Sequence, residues 1–234
     1  MKKLLFALAA VALSSSLAGA APCGVGTLGD YEALGAAGCT IDGHTLSNFL
    51  AVTGSTTGAA IPSSDVAISP LGGTAVTGLT FSTNLTAQAN APLELTFTYE
   101  ISGGGSYSAS EIALSNSSET GDGGVTEIEN YCAGGSFGPD GVTGCTGTAG
   151  SLLTLDGVQQ TDESSFASVP FVNVTNDFEL DGGLAGSATG GTFTNQFTAS
   201  ATVPEPSSWL FVGFGICCLT LLKPRNLNVC QRKK

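Results

Sequence analysis

The clearest alternation of apolar and polar positions runs from Leu93 to Ile101. Leu93, Leu95, Phe97, Tyr99 and Ile101 fall on one face of an extended strand, and Glu94, Thr96, Thr98 and Glu100 on the other. That period of two marks a half-buried antiparallel strand. Shorter runs predict further strands at Asp65–Ser69, Leu79–Ser82, Ser108–Leu114, Val125–Cys132, Ser151–Leu155, Val169–Leu180 and Thr192–Ala201. Gly103-Gly104-Gly105, Gly121-Asp122-Gly123-Gly124 and Gly182-Gly183 lie between or beside them and fit turns that need positive φ. One helix is predicted near Leu28–Leu34, with Thr27 as its cap and Asp30 in its first turn. Short strands between regular turn signals predict an all-β fold, a single antiparallel, jelly-roll-like β-sandwich over residues 21–202.

Two apolar segments depart from this pattern. Residues 1–20 read as a signal peptide: Lys2 and Lys3, the apolar run Leu4–Leu13, then Ala18-Gly19-Ala20 as the small residues before cleavage by signal peptidase. Ser14-Ser15-Ser16 interrupt a run too short for a membrane span. Near the other end, Pro204-Glu205-Pro206 precede an apolar segment, 207–222, and a basic tail, 223–234. Trp209 at one interface and Lys223 snorkelling at the other make a short transmembrane helix, with the basic cluster cytoplasmic.

Charge follows the same division. Nineteen acids and seven bases give a net charge of −12, but Lys and Arg are absent from 21 to 206, where all nineteen acids lie. Nucleic-acid and phosphate binding are thereby excluded for the middle of the chain, since no cationic side chain is present to displace counterions. The acids are expected to be solvated or bridged by divalent cations.

Val203-Pro204-Glu205-Pro206-Ser207-Ser208, the short span and the Arg/Lys cluster together resemble the PEP-CTERM sorting signal of Gram-negative bacteria. The resemblance implies recognition at Pro204, Glu205 and Pro206 by an exosortase, a membrane-embedded enzyme with a cysteine nucleophile similar to a transpeptidase. It implies export through the inner membrane, anchoring by the C-terminal helix until processing, and then the cell surface or extracellular space. More loosely, Cys23, Cys39-Thr40, Ser47-Asn48-Phe49, the Leu93–Ile101 strand, Tyr131-Cys132 and Gly182-Gly183 resemble PEP-CTERM proteins of unassigned function.

Cys23, Cys39, Cys132 and Cys145 lie in the exported part, where oxidation is permitted. Four cysteines allow three pairings; Cys23–Cys39 and Cys132–Cys145 are favoured because each closes a short Gly-rich loop. Zinc is the rival reading, without C-x2-C spacing or a neighbouring histidine.

Several motifs tempt a catalytic reading. Gly24–Gly29 spells G-x-G-x-x-G but has no room for a preceding strand. Gly134–Gly138 spells the G-x-S-x-G elbow around Ser136, yet Pro139-Asp140-Gly141 turns away and the only histidine, His44, precedes it. His44 follows the hairpin dipeptide Asp42-Gly43 and is expected at an exposed strand end. Asp177–Gly182 imitates half a calcium loop but has Ala188 at the twelfth position, and Glu119–Asn130 is a looser imitation. Strand alternation accounts for the first, with Phe178 and Leu180 inward and three acids outward. Sequons at Asn84, Asn116 and Asn173 match chance in a Ser/Thr-rich chain. No cofactor is expected beyond a weak calcium signal, and no catalytic residue is assigned. The reading is a non-enzymatic surface or matrix protein associated with exopolysaccharide or biofilm. The alternative is a secreted polysaccharide-binding module or glycoside hydrolase with paired carboxylates.

Overall fold

The computed structural model describes residues 20–52, 58–73 and 75–201. The signal-peptide residue Ala18, the sorting motif Pro204, Glu205 and Pro206, and the apolar segment 207–222 lie outside them; Ala20 is the first described residue.

Strands dominate. They are β1 (Ala21–Pro22), β2 (Gly26–Thr27), β3 (Cys39–Ile41), β4 (His44–Val52), β5 (Ala59–Ala60), β6 (Ala67–Leu71), β7 (Val76–Ser82) and β8 (Thr86–Gln88). The later ones are β9 (Leu93–Ser115), β10 (Ser118–Thr120), β11 (Gly124–Ala133), β12 (Thr148–Leu155), β13 (Thr161–Asp181), β14 (Ser187–Thr189) and β15 (Thr192–Ala201). Among the described residues one α-helix occurs, α1 (Leu28–Glu32). It is held by the expected cap: Thr27 Oγ1 accepts from Asp30 N at 3.2 Å, and Asp30 returns the bond to Thr27 N at 2.8 Å.

One inner face is built from β12, β11, β13, the first half of β9, β4 and β3. The facing layer is built from the second half of β9, β15, β7, β6 and β2. β9 and β13 are long enough to belong to both, so hydrogen bonding is continuous around one bend. A three-stranded sheet, β10–β14–β8, stands apart. The result is an all-β sandwich.

Two expected interruptions are absent. Gly103-Gly104-Gly105 was expected to form a turn between separate strands, but all three lie inside β9. Their positive φ values, 72°, 64° and 148°, bend the strand from one layer to the other without reversing it. The strand expected from Val169 begins at Thr161, and the register shifts on either side of Val169 accommodate Pro170, which has no N–H for the ladder. The β3–β4 hairpin turns at Asp42 and Gly43, both with positive φ, as their dipeptide predicts.

Both favoured disulfides are present, Cys23–Cys39 and Cys132–Cys145. The second closes a loop that folds back over β13, where Thr175 Oγ1 donates to the Gly141 carbonyl and Asn173 Nδ2 to that of Gly135. Thr175 is buried beneath it. The core is aromatic: Phe193 stacks on Phe81 at 4.8 Å and on Phe178 at 4.9 Å, joining the two layers. On β13, Phe178 and Leu180 point inward and Asp177, Glu179 and Asp181 outward, so strand alternation explains that acidic stretch.

Candidate functional site

One strand inverts the usual chemistry of its inner face. On β11 the inward side chains are Val125, Glu127, Glu129 and Tyr131, and both glutamates are fully buried. Hydrophobic residues on either side set the pleat, and its period of two carries the carboxylates inward with them. Across the ladder Glu129 pairs with Asn176 of β13 and Leu152 of β12, while Glu127 pairs with Phe178 and Thr154.

The opposite layer supplies partners for one of the two acids. Ser110 Oγ of β9 donates to Glu129 Oε1 at 2.5 Å, and Asn195 Nδ2 of β15 donates to Glu129 Oε2 at 2.5 Å. Asn195 Nδ2 also donates to Asn176 Oδ1 at 2.5 Å. Glu127 receives no such bonds; both its carboxyl oxygens, Asn195 Oδ1, Thr154 Oγ1 and Tyr99 OH are buried without a hydrogen-bond partner.

Burial, with no Lys or Arg side chain from 21 to 206 to offset it, governs the ionisation of this layer. Desolvation raises Glu129 from 4.5 to about 7, against the lowering effect of Ser110 and Asn195. Glu127 lies well above its ordinary value, through desolvation first and then the charges of Glu129 and Asp177. Tyr99 is raised by the same burial and by both glutamates. A sealed pair of this kind cannot meet a polysaccharide, so it cannot act as the acid and base of a glycosidase.

His44 corrects an expectation. It lies 6% exposed at the start of β4, not at an open strand end. Tyr107 OH donates its one proton to the Gly103 carbonyl at 2.9 Å, so His44 Nδ1–H is the donor in the 2.8 Å bond to Tyr107 OH. Burial lowers its pKa, outweighing the Gly103 carbonyl and Asp42. Ser136 sits in the loop after β11, its backbone N–H donating to Thr146 Oγ1 at 3.0 Å, with no strand-to-helix elbow around it. Gly24–Gly29 leads through β2 into the five-residue α1.

Several exposed acids are engaged with backbone. Asp140 caps its loop through Val142 N and Thr143 N, and hydrogen bonds from Thr143 and Val142 bring its pKa to about 2. Asp122 accepts from Leu184 N and Ala185 N and is lowered by them. Asp122 therefore ties the turn between β10 and β11 to the segment that follows β13. A cleft of about 220 Å³ is lined by Glu111, Thr161, Asp162 and Glu163, none of them aromatic. Among the described residues no three His, Cys, Asp or Glu side chains converge as metal ligands, and no helix is long and apolar enough to cross a membrane. The buried glutamates were not legible from motifs; the signal was the Val125-x-Glu127-x-Glu129-x-Tyr131 alternation itself.

No family model matches the chain, and no curated protein matches it. Among solved structures, TmCBM61 in complex with β-1,4-galactotriose shares 12% identity over 56% of this chain and 88% of its own, with a TM-score of 0.28.

Proposed function

We propose that the chain is an exported, non-catalytic surface or matrix protein, sorted by an exosortase through its PEP-CTERM signal and associated with exopolysaccharide or biofilm. The observation that carries this reading is the placement of the carboxylates. The paired ones are sealed between the layers, and the exposed cleft that gathers acids has no aromatic platform for sugar rings. Two disulfides fit an oxidising exterior. A signal peptide at 1–20, jelly-roll-like wiring and a membrane helix at 207–222 before processing complete the reading.

The experiment is incubation of the purified full chain with the host's own exopolysaccharide. Co-sedimentation without new reducing ends is expected. Release of reducing ends would establish a hydrolase instead, and no association would remove the polysaccharide partner.

A further inference from the structure

The last residues of β15 are held differently from the rest of the strand. From Thr192 to Thr198 it pairs with β9 on one side and β7 on the other, and Phe193, Asn195 and Phe197 are buried in the core. The register with β9 then shifts between Thr198 and Ala199, and the β7 ladder stops at the Thr198–Val76 pair. We propose that the final two residues, Ser200 and Ala201, form a strap that peels from β9 so that Pro204-Glu205-Pro206 can enter the processing enzyme, a step that rests on the sorting reading above.

The ladder shows where the strap ends. Ala199 is buried and its N–H donates to the Ala75 carbonyl at 3.1 Å, so it stays with the sheet. Ser200 and Ala201 pair with Ser106 and Gly105 of β9 and, among the described residues, with no other strand. Their support is itself one-sided. The β13 ladder passes from Tyr107 to Ser102 without a rung between them, and β4 reaches only to Gly103. Ser168 Oγ donates to Ser106 Oγ across this gap at 2.7 Å, which braces β9 and not the strap. Two rungs at the open end of a ladder, on a segment without a second partner strand, are the part of a sheet that opens at least cost.

Covalent reach makes the opening necessary. Thr202 and Val203 separate the last rung from Pro204, and two extended residues span about 7 Å. Packed sheets are about 10 Å apart, so an enzyme closing on the motif would meet the folded sandwich before it could seat the residues on the amino side. Peeling at the register shift adds Ser200 and Ala201 and lengthens the reach to about 14 Å. The core stays intact, because Phe193, Asn195 and Phe197 lie on the other side of the shift. Release of the strap, and not recognition of the tripeptide alone, then sets how fast the folded chain is processed.

Hydrogen exchange and processing kinetics test the strap separately. In the full-length chain in mild detergent, amides from 200 to 203 should be protected no more than about tenfold over an unfolded chain, while those from 193 to 197 exchange far more slowly. Ser106→Cys/Ser200→Cys, at directly opposed positions, places a disulfide clamp on the strap. In pulse-chase of exosortase-positive cells the clamp should slow appearance of the mature form about tenfold or more, and Ser200→Cys alone should not. A spacer of about eight Gly and Ser residues between Thr202 and Val203 should return the clamped chain to the wild-type rate, which distinguishes a closed strap from a misfolded domain. Exchange decides alone if the clamp does not form. Protected amides from 200 to 203, a clamped chain processed at the wild-type rate, or a clamped chain that the spacer does not rescue would overturn the strap and leave the sorting reading standing. Wild-type and spacer chains that both stay unprocessed would overturn the sorting reading itself.

Discussion

Asn195 on β15 reaches across the sandwich to Glu129 on β11, its Nδ2 lying 2.5 Å from Oε2. The same nitrogen holds Asn176, so one amide fixes two strands of the opposite layer. Removing it leaves a buried carboxyl group short of a donor. Asn195→Ala should therefore destabilise the fold by about 2–4 kcal/mol, more than truncation of an exposed asparagine. Chemical denaturation checks this; a loss below about 1 kcal/mol would show that the bond pins nothing.

Stability should fall as pH rises from about 4.5 to 7. Glu129 is raised in the fold from 4.5 to about 7, so the unfolded chain gives up its proton first and ionisation favours unfolding throughout that window. The loss attributable to Glu129 is about 3 kcal/mol. Glu127, Asp177 and Glu179, also raised, act in the same direction. Asp140, lowered to about 2, acts oppositely at lower pH: its stabilisation is present above 3.8 and lost as pH falls toward 2. Denaturant midpoints across pH 3–8 should show a maximum on the acid side, and Glu129→Gln should flatten the slope between 4.5 and 7.

Gly104 is needed for the bend in β9. A Cβ there would stand 2.5 Å from His44 Nδ1, and its φ is +64°. Gly104→Ala should cost about 1–3 kcal/mol, through the left-handed backbone and displacement of the imidazole from Tyr107. NMR titration supplies a second reading: His44 should titrate below 6.5 in the native chain and closer to it in the variant.

Glu111 and Glu163 face each other directly across β9 and β13. Like charges so placed repel, with no cationic side chain from 21 to 206 to separate them. Glu163→Lys should stabilise the fold by about 0.5–1 kcal/mol at low salt. Sodium chloride should raise the native Tm, and the gain from the variant should shrink as salt screens both interactions. A Tm indifferent to salt would remove repulsion as a determinant of stability.

Much of this architecture was legible because burial and pleat agree. Leu95, Phe97, Tyr99 and Ile101 are buried on one face as their alternation predicts, and Thr27 caps α1. The disulfides followed from short loop closures. What escaped was decided by distant contacts. Glycines 103–105 look like a turn, but pairing with β4, β13 and β15 on both sides holds them in one strand. His44 looks exposed until Tyr107, 63 residues away, is brought against it. Glu127 and Glu129 look like solvent-facing acids because polarity usually marks the outer face. Here Val125 and Tyr131 claim the inner face, and a pleat cannot turn the two residues between them outward.

Peptide mass spectrometry of surface and culture fractions, from exosortase-positive and exosortase-deficient cells, tests the proposed role most directly. The mature surface form should begin at Ala21 and lack any peptide containing Arg225, which should persist only in the membrane fraction of deficient cells. A surface form that still carries the Arg225 peptide would contradict the account.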